Sequence, residues 1–193
     1  MSDLMKTKYE VQKILGDAIK EGLVKFGVKK TTNGVDSSLF DVIEYGQPKM
    51  WQMDRCIAIN YMRHERIGWQ GVSYVTNNLG AMTRKDDIIE QQTWYIHVIM
   101  KRKESDPSPT LATITTEDVM SYIISWFNGP GQDTLRKNKV SSLRLDPADI
   151  IVYNDNSNVY QKRAVIRMNL LVPKEFSFGQ EHLVALDVET WPI

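Results

Sequence analysis

An α+β fold, with a mostly antiparallel sheet, a long β-ribbon and two to three helices on one face of the sheet, is what three stretches of this chain predict. From Asp87 to Lys103 the side chains alternate, with Ile88, Glu90, Gln92, Trp94, Ile96, Val98 and Met100 in one set and Ile89, Gln91, Thr93, Tyr95, His97 and Ile99 in the other. A period of two is the signature of a strand, and the first set makes the better core face. Thr116 to Asn128 reads as a helix: Thr115 or Thr116 supplies a capping hydroxyl, and Glu117 and Asp118 complement the dipole. Asn128, Gly129 and Pro130 stop it. In Val159 to Val172, Tyr160, Ala164, Ile166, Met168, Leu170 and Val172 oppose Gln161, Arg163, Arg167 and Asn169, which marks a half-buried strand.

The other elements follow in order. Tyr9 to Gly27 spaces Val11, Ile14, Leu15, Ala18, Ile19, Leu23 and Phe26 by three and four, against Lys13, Asp17, Lys20 and Glu21, so it forms an amphipathic helix. Lys29 to Asn33 reads as a polar connector ending in the turn dipeptide Asn33-Gly34. Val35 to Trp51 admits a short helical turn capped by Asp36 or Ser37, broken at Gly46, Gln47 and Pro48. Arg55 to Arg66 alternates again, with Ile57, Ile59 and Tyr61 opposite Ala58, Asn60 and Met62. Gly68 and Gly71 interrupt it, and Arg55 to Met100 is expected to form two long antiparallel strands joined by a protruding ribbon at about 66–88. Gln132 to Val140 reads as a short basic helix, Ser141 to Leu145 as a strand fragment, and Ile150 to Tyr153 pairs with the strand after it around Asn154 to Asn158. Residues 173–193 are expected to form a terminal strand or an arm, all within one domain spanning 1–193.

The helix at Thr116 is apolar nearly all round. Val119, Met120, Tyr122, Ile123, Ile124, Trp126 and Phe127 leave only Glu117, Ser121, Ser125 and Asn128 as a polar stripe. Such a helix is covered on more than one side, either deep in the domain or in an interface between subunits. The expected subunit seam is therefore built from Trp126, Ile123, Tyr74 of the ribbon and Trp191 of the tail.

Composition narrows the function classes. The 193 residues are 42% hydrophobic, enough for a sizeable core, and 24 basic residues balance 24 acidic ones. A formal net charge of zero gives no global field for wrapping nucleic acid or lying on an acidic membrane. Cys56 is the single cysteine, so an internal disulfide is excluded, which suits a reducing compartment; the thiol reads as a small core residue. Met1 to Tyr9 lacks an apolar run long enough for a signal peptide or a membrane span, so a soluble, cytosol-made chain is expected.

Chemistry is sparse. His64, His97 and His182 show no metal spacing, and His97, alternating with Tyr95 and Ile99, reads as a structural residue of a sheet face. Gly129-Pro130-Gly131 follows a helix instead of opening one, which is the wrong geometry for cradling phosphate. No nucleophile elbow or cysteine-nucleophile signature is present, and Asp86-Asp87 beside Arg84-Lys85 reads as a solvated turn. No enzyme activity, metal or cofactor is therefore expected. Lys101-Arg102-Lys103 and the group Arg136, Lys137 and Lys139 can touch phosphates, but they lack interleaved aromatic side chains. Repeated around a ring, such a group becomes a positive belt.

The order of elements resembles the bacteriophage neck and tail terminator proteins, which complete the tail and join it to the head. The likeness is carried by Asp54 to Asn60, Glu90 to Arg102, Thr116 to Phe127, and Ser141 to Val172 with its Asp146-Pro147-Ala148-Asp149 turn. The resemblance implies a structural virion protein, assembled in the host cytoplasm, that forms a homo-oligomeric ring of about six copies capping the tail. Its implied partners are the head connector or adaptor and the tail tube or sheath proteins, with no membrane. Arg136, Lys137 and Lys139 would line the channel in non-specific contact with passing DNA. The segment Gly68 to Lys85 lengthens the ribbon beyond the minimal family plan. Another connector or baseplate component, or a small host-directed binding domain, is the alternative.

Overall fold

A computed structural model of the chain describes residues 6–76, 82–102, 114–143, 145, 149–154 and 160–179. In chain order the elements are α1 (Lys8–Lys25), β1 (Lys29–Thr32), β2 (Val35–Ser38), β3 (Asp41–Glu44), a 3-10 helix (Pro48–Gln52), β4 (Arg55–Thr76) and β5 (Met82–Arg102). These are followed by α2 (Thr116–Phe127), α3 (Gly131–Lys137), β6 (Ser141–Ser142), β7 (Asp149–Asn154) and β8 (Tyr160–Gly179). The result is an α+β fold with a mostly antiparallel sheet and helices on one face.

The strand with the clearest alternation, β5, is the centre of the sheet. It pairs antiparallel with β4 on one side and with β8 on the other, over nearly its whole length. The order is β3-β4-β5-β8-β6, with β7 also on β8. Ile57 and Ile59 on β4, Trp94, Ile96 and Val98 on β5, and Ala164, Ile166, Met168, Leu170 and Val172 on β8 form one apolar face, and α1, α2 and α3 cover it. Each large side chain fully removed from water there contributes about 1.5–3 kcal/mol.

Local chemistry fixes each helix. The Thr7 and Thr115 hydroxyls accept from the backbone amides of Glu10 and Asp118, and each carboxylate accepts from the Thr amide, so α1 and α2 both begin in capping boxes. Hydrogen bonding to the Thr115 amide and hydroxyl holds the Asp118 carboxyl below its ordinary pKa, as Thr7 does for Glu10. At the end of α1 the Val28 amide donates to the Leu23 carbonyl and the Gly27 amide to that of Val24, a Schellman closure.

The connector expected at Lys29 to Asn33 is instead the first strand of a β1-β2 hairpin. Asn33 and Gly34 both take positive φ (52° and 77°), which is the backbone of a tight two-residue turn. The helical turn expected to start at Asp36 or Ser37 is replaced by β2 and β3, and helical geometry begins only at Pro48. Strand β3 runs parallel to β4. The chain between them, residues 45–54, crosses the face opposite the helices. There Met50 packs with Cys56, Ala58 and Ile99 in a second, smaller core flanked by Ile43, Tyr45 and Met53. Cys56 is a buried thiol within it.

Gly68 and Gly71 do not end β4. The strand continues to Thr76 with register shifts between Tyr61 and Arg63 and between Ile67 and Gly71, so extra residues bulge out while pairing resumes beyond them. The expected boundary at 173 falls inside β8, whose pairing with β5 runs on to Gly179 opposite Thr83. The ribbon is therefore three strands wide.

Candidate functional site

Beyond the Arg66–Glu90–Val172 row the three central strands outrun the helices. From Ile89 to Met82, β5 projects about 25 Å at about 3.3 Å per residue. Its root is tied by buried polar groups on the helix-side face. The Trp94 indole N–H donates to Gln92 Oε1 (3.2 Å), the Gln92 amide donates to Glu90 Oε2 (3.3 Å), and Lys174 Nζ meets the same carboxylate at 2.7 Å. Burial acts to raise the Glu90 pKa. The Lys174 and Gln92 hydrogen bonds and the charges of Lys174 and His64 outweigh it and hold the group below the usual carboxylate range. On the other face Thr93 Oγ1 donates to Asn169 Oδ1 at 2.9 Å. A chain of satisfied polar groups across adjacent strands resists bending, so the ribbon leaves the body as a stiff element.

Farther out, apolar side chains stand in water. Tyr74 is 53% exposed and Ile89 50%, and Ile67, Val72 and Val75 are also exposed. The register sorts them. Val72 and Tyr74 lie opposite Asp86 and Arg84, on the face that carries Glu90 and Trp94. Ile67, Ile89 and Pro173 form one row across all three strands on the reverse face, with Val75 farther along it. Scattered exposed apolar residues are ordinary, but a concentration on one projecting element marks a contact surface.

The expected seam residues separate. Tyr74 lies on this surface, and Trp191 is outside the described residues. Trp126 (6% exposed) and Ile123 (2%) are inside the subunit, which corrects their assignment to an interface. The physical reason is close approach. A Cβ on Gly22 of α1 would come within 2.6 Å of the Trp126 ring, as would one on Gly131 of α3, so two glycines let the indole wedge between the other helices. The surplus of apolar surface on α2 is absorbed by α1, α3 and the sheet.

Arg136, Lys137 and Lys139 lie together at the exposed end of α3. Asp133 sits 3.5 Å from Arg136, and Glu21 accepts from Thr134 on the same helix at 3.2 Å, so acids dilute this basic corner. Lys139 holds a left-handed backbone (φ 55°) just past the helix.

A further cluster was not legible as a group in the sequence. His97 (9% exposed) lies under the Tyr45 ring at 4.5 Å between centroids, and the buried Arg163 donates to the Tyr45 hydroxyl at 3.2 Å. Among the described residues neither ring nitrogen of His97 has a hydrogen-bond partner. Burial, reinforced by the Arg163 charge, lowers its pKa to about 4, so the ring is neutral at pH 7. Only the alternation of His97 with Tyr95 and Ile99 hinted at its structural place.

No protein-family model matches this chain, and no curated protein matches it. Among the described residues no set of three metal-binding side chains converges, and no helix is long and apolar enough to cross a membrane.

Proposed function

We propose that this chain is a structural virion protein that forms a ring at the neck or the top of a bacteriophage tail, ending the tail and joining it to the head connector. The observation that carries the reading is the three-stranded ribbon: a stiff, partly apolar projection from a closed, helix-covered body. A ring subunit needs that division, because the body must fold alone and a projecting element must reach a neighbour. The element order that resembles tail terminators supports the phage setting.

In this reading the partners are other copies of the chain, the head connector or adaptor, and the tail tube or sheath proteins. The corner at Arg136, Lys137 and Lys139 faces the channel and makes weak, salt-sensitive contact with DNA. The protein performs no bond-making chemistry and holds no cofactor.

Negative-stain microscopy of the purified protein tests the ring, with closed annuli of uniform diameter expected. A gold-labelled antibody against the chain tests the place, with label expected at the head-tail junction of phage particles made by cells that carry the gene. Only monomers in the first experiment, or label elsewhere on the particle in the second, would overturn the proposal.

A further inference from the structure

We infer that neighbouring copies join by stacking their ribbons face to face, the helix-side face of one ribbon on the reverse face of the next. This mode of contact rests on the ring reading above and specifies it.

The edges of the ribbon come first, because an unpaired strand edge is the obvious route to association. Beyond Ile59, β4 has no outer neighbour among the described strands, and beyond Leu171 neither has β8. Both edges carry features that hinder a further strand. The outer strand β4 has register shifts at Tyr61/Arg63 and Ile67/Gly71 and carries the charged residues Arg63, Glu65 and Arg66. Pro173 on β8 has no amide hydrogen to offer. Edge-to-edge addition is disfavoured, and the faces remain.

Both faces are apolar in part, the helix side through Val72 and Tyr74 and the reverse through the row Ile67, Ile89 and Pro173. A symmetric pairing of two like faces would cover one and leave the other in water. Placing unlike faces together covers both on every copy, and a contact of unlike patches propagates from copy to copy, giving a ring where the rotation between copies closes. Three strands about 4.8 Å apart over the projecting length give each face about 350 Å², so stacking on both faces buries about 700 Å² on every copy, against the roughly 800 Å² per partner of a standard interface. A second copy suits the surface electrostatically as well. The chain has a formal net charge of zero, and the ribbon carries both signs, with Arg63 and Glu65 paired at 3.2 Å. Like copies therefore approach without net repulsion.

Two double variants of the full chain test this: Val72→Asp with Tyr74→Asp on the helix side, and Ile67→Asp with Ile89→Asp on the reverse. Mass by multi-angle light scattering is the readout, with circular dichroism to verify folding and the milder Tyr74→Ser and Ile89→Thr as substitutes should a double variant fail to fold. Each double variant alone is expected to lose the ring mass and run as a monomer. An equimolar mixture of the two is expected to give a dimer and nothing larger, because each supplies the intact face that the other lacks. Wild-type mass in either variant, a dimer formed by one variant alone, or no association in the mixture would overturn the stacking. A wild-type chain that is itself a monomer would instead remove the ring reading.

Discussion

Two rows of the same three strands have opposite fates. Ile59, Ile96 and Ile166 lie side by side in the body and are essentially fully buried, whereas Ile67 and Ile89, in the ribbon row that ends at Pro173, are 40% and 50% exposed. Side-chain chemistry does not separate them, since both rows are apolar and both sit on β4, β5 and β8. What separates them is cover: three helices close over the first row, and no element among the described residues closes over the second. In the body apolar surface is consumed by folding. In the ribbon it is left over, and that remainder is what makes the ribbon a contact element.

The largest expected effect tests the body. Trp126→Ala removes an indole wedged between Gly22 and Gly131, and truncating a buried aromatic residue costs about 3–5 kcal/mol. Urea denaturation should show a midpoint lowered accordingly. A loss below about 1 kcal/mol would mean that Trp126 is not part of the subunit core, and would restore it as a candidate for the seam.

A smaller effect comes from the reverse face of the body. The His97 pKa is lowered from 6.5 to about 4, so between those values the unfolded chain binds a proton that the folded chain refuses. Stability is therefore fully present above about pH 6.5, falls as the pH drops towards 4, and levels off below. Among the described residues the groups facing the ring are Tyr45, Tyr95 and Arg163, and none of these is an acid that could hold the imidazolium. The lost stability is on the order of 2–3 kcal/mol, allowing for partial solvent screening. His97→Leu should flatten that part of the profile, measured by denaturation from pH 7 to pH 4; an unchanged slope would mean that other groups set it.

Next in size is the cap of α2. Thr115→Ala deletes the hydroxyl that accepts from the Asp118 amide at 3.1 Å, for about 1 kcal/mol. Melting temperature should fall by a few degrees, with the assembly state unchanged.

The long strands and the capped helices were legible because their signals are local. Alternation over Asp87 to Lys103 needs no knowledge of neighbours, and neither does the Thr115 to Asp118 cap. The burial of Trp126 was not legible, because it depends on Gly22, far away in sequence, being where it can admit a ring. Strand β1 hid because Lys29 to Thr32 has no apolar alternation, although the Asn33-Gly34 dipeptide announced its turn. Strand β3 is four residues long and pairs in parallel, a relation no local pattern encodes. Pro173 read as the end of a strand, which holds for a central strand; on the free outer edge of β8 a missing amide hydrogen costs no ladder bond. Of the candidate surface, Tyr74 was legible from the overlong ribbon. The reverse row was not, because the register shifts between Tyr61 and Gly71 decide which β4 residues share a face with Ile89.

The smallest expected change is the most discriminating. Tyr74→Ser and Val75→Thr remove apolar groups that the fold leaves in water, and surface substitutions of this kind stay within about 0.5 kcal/mol. Neither should shift the denaturation midpoint when the protein is diluted until it is monomeric. At concentrations where copies associate, the same substitutions should lower the apparent melting temperature, because association with a folded partner adds stability by mass action. Body variants such as Thr115→Ala should lose stability by the same amount at every concentration. A ribbon variant whose deficit does not depend on concentration would erase the distinction, and would place the ribbon's apolar surface in folding instead of in contact between subunits.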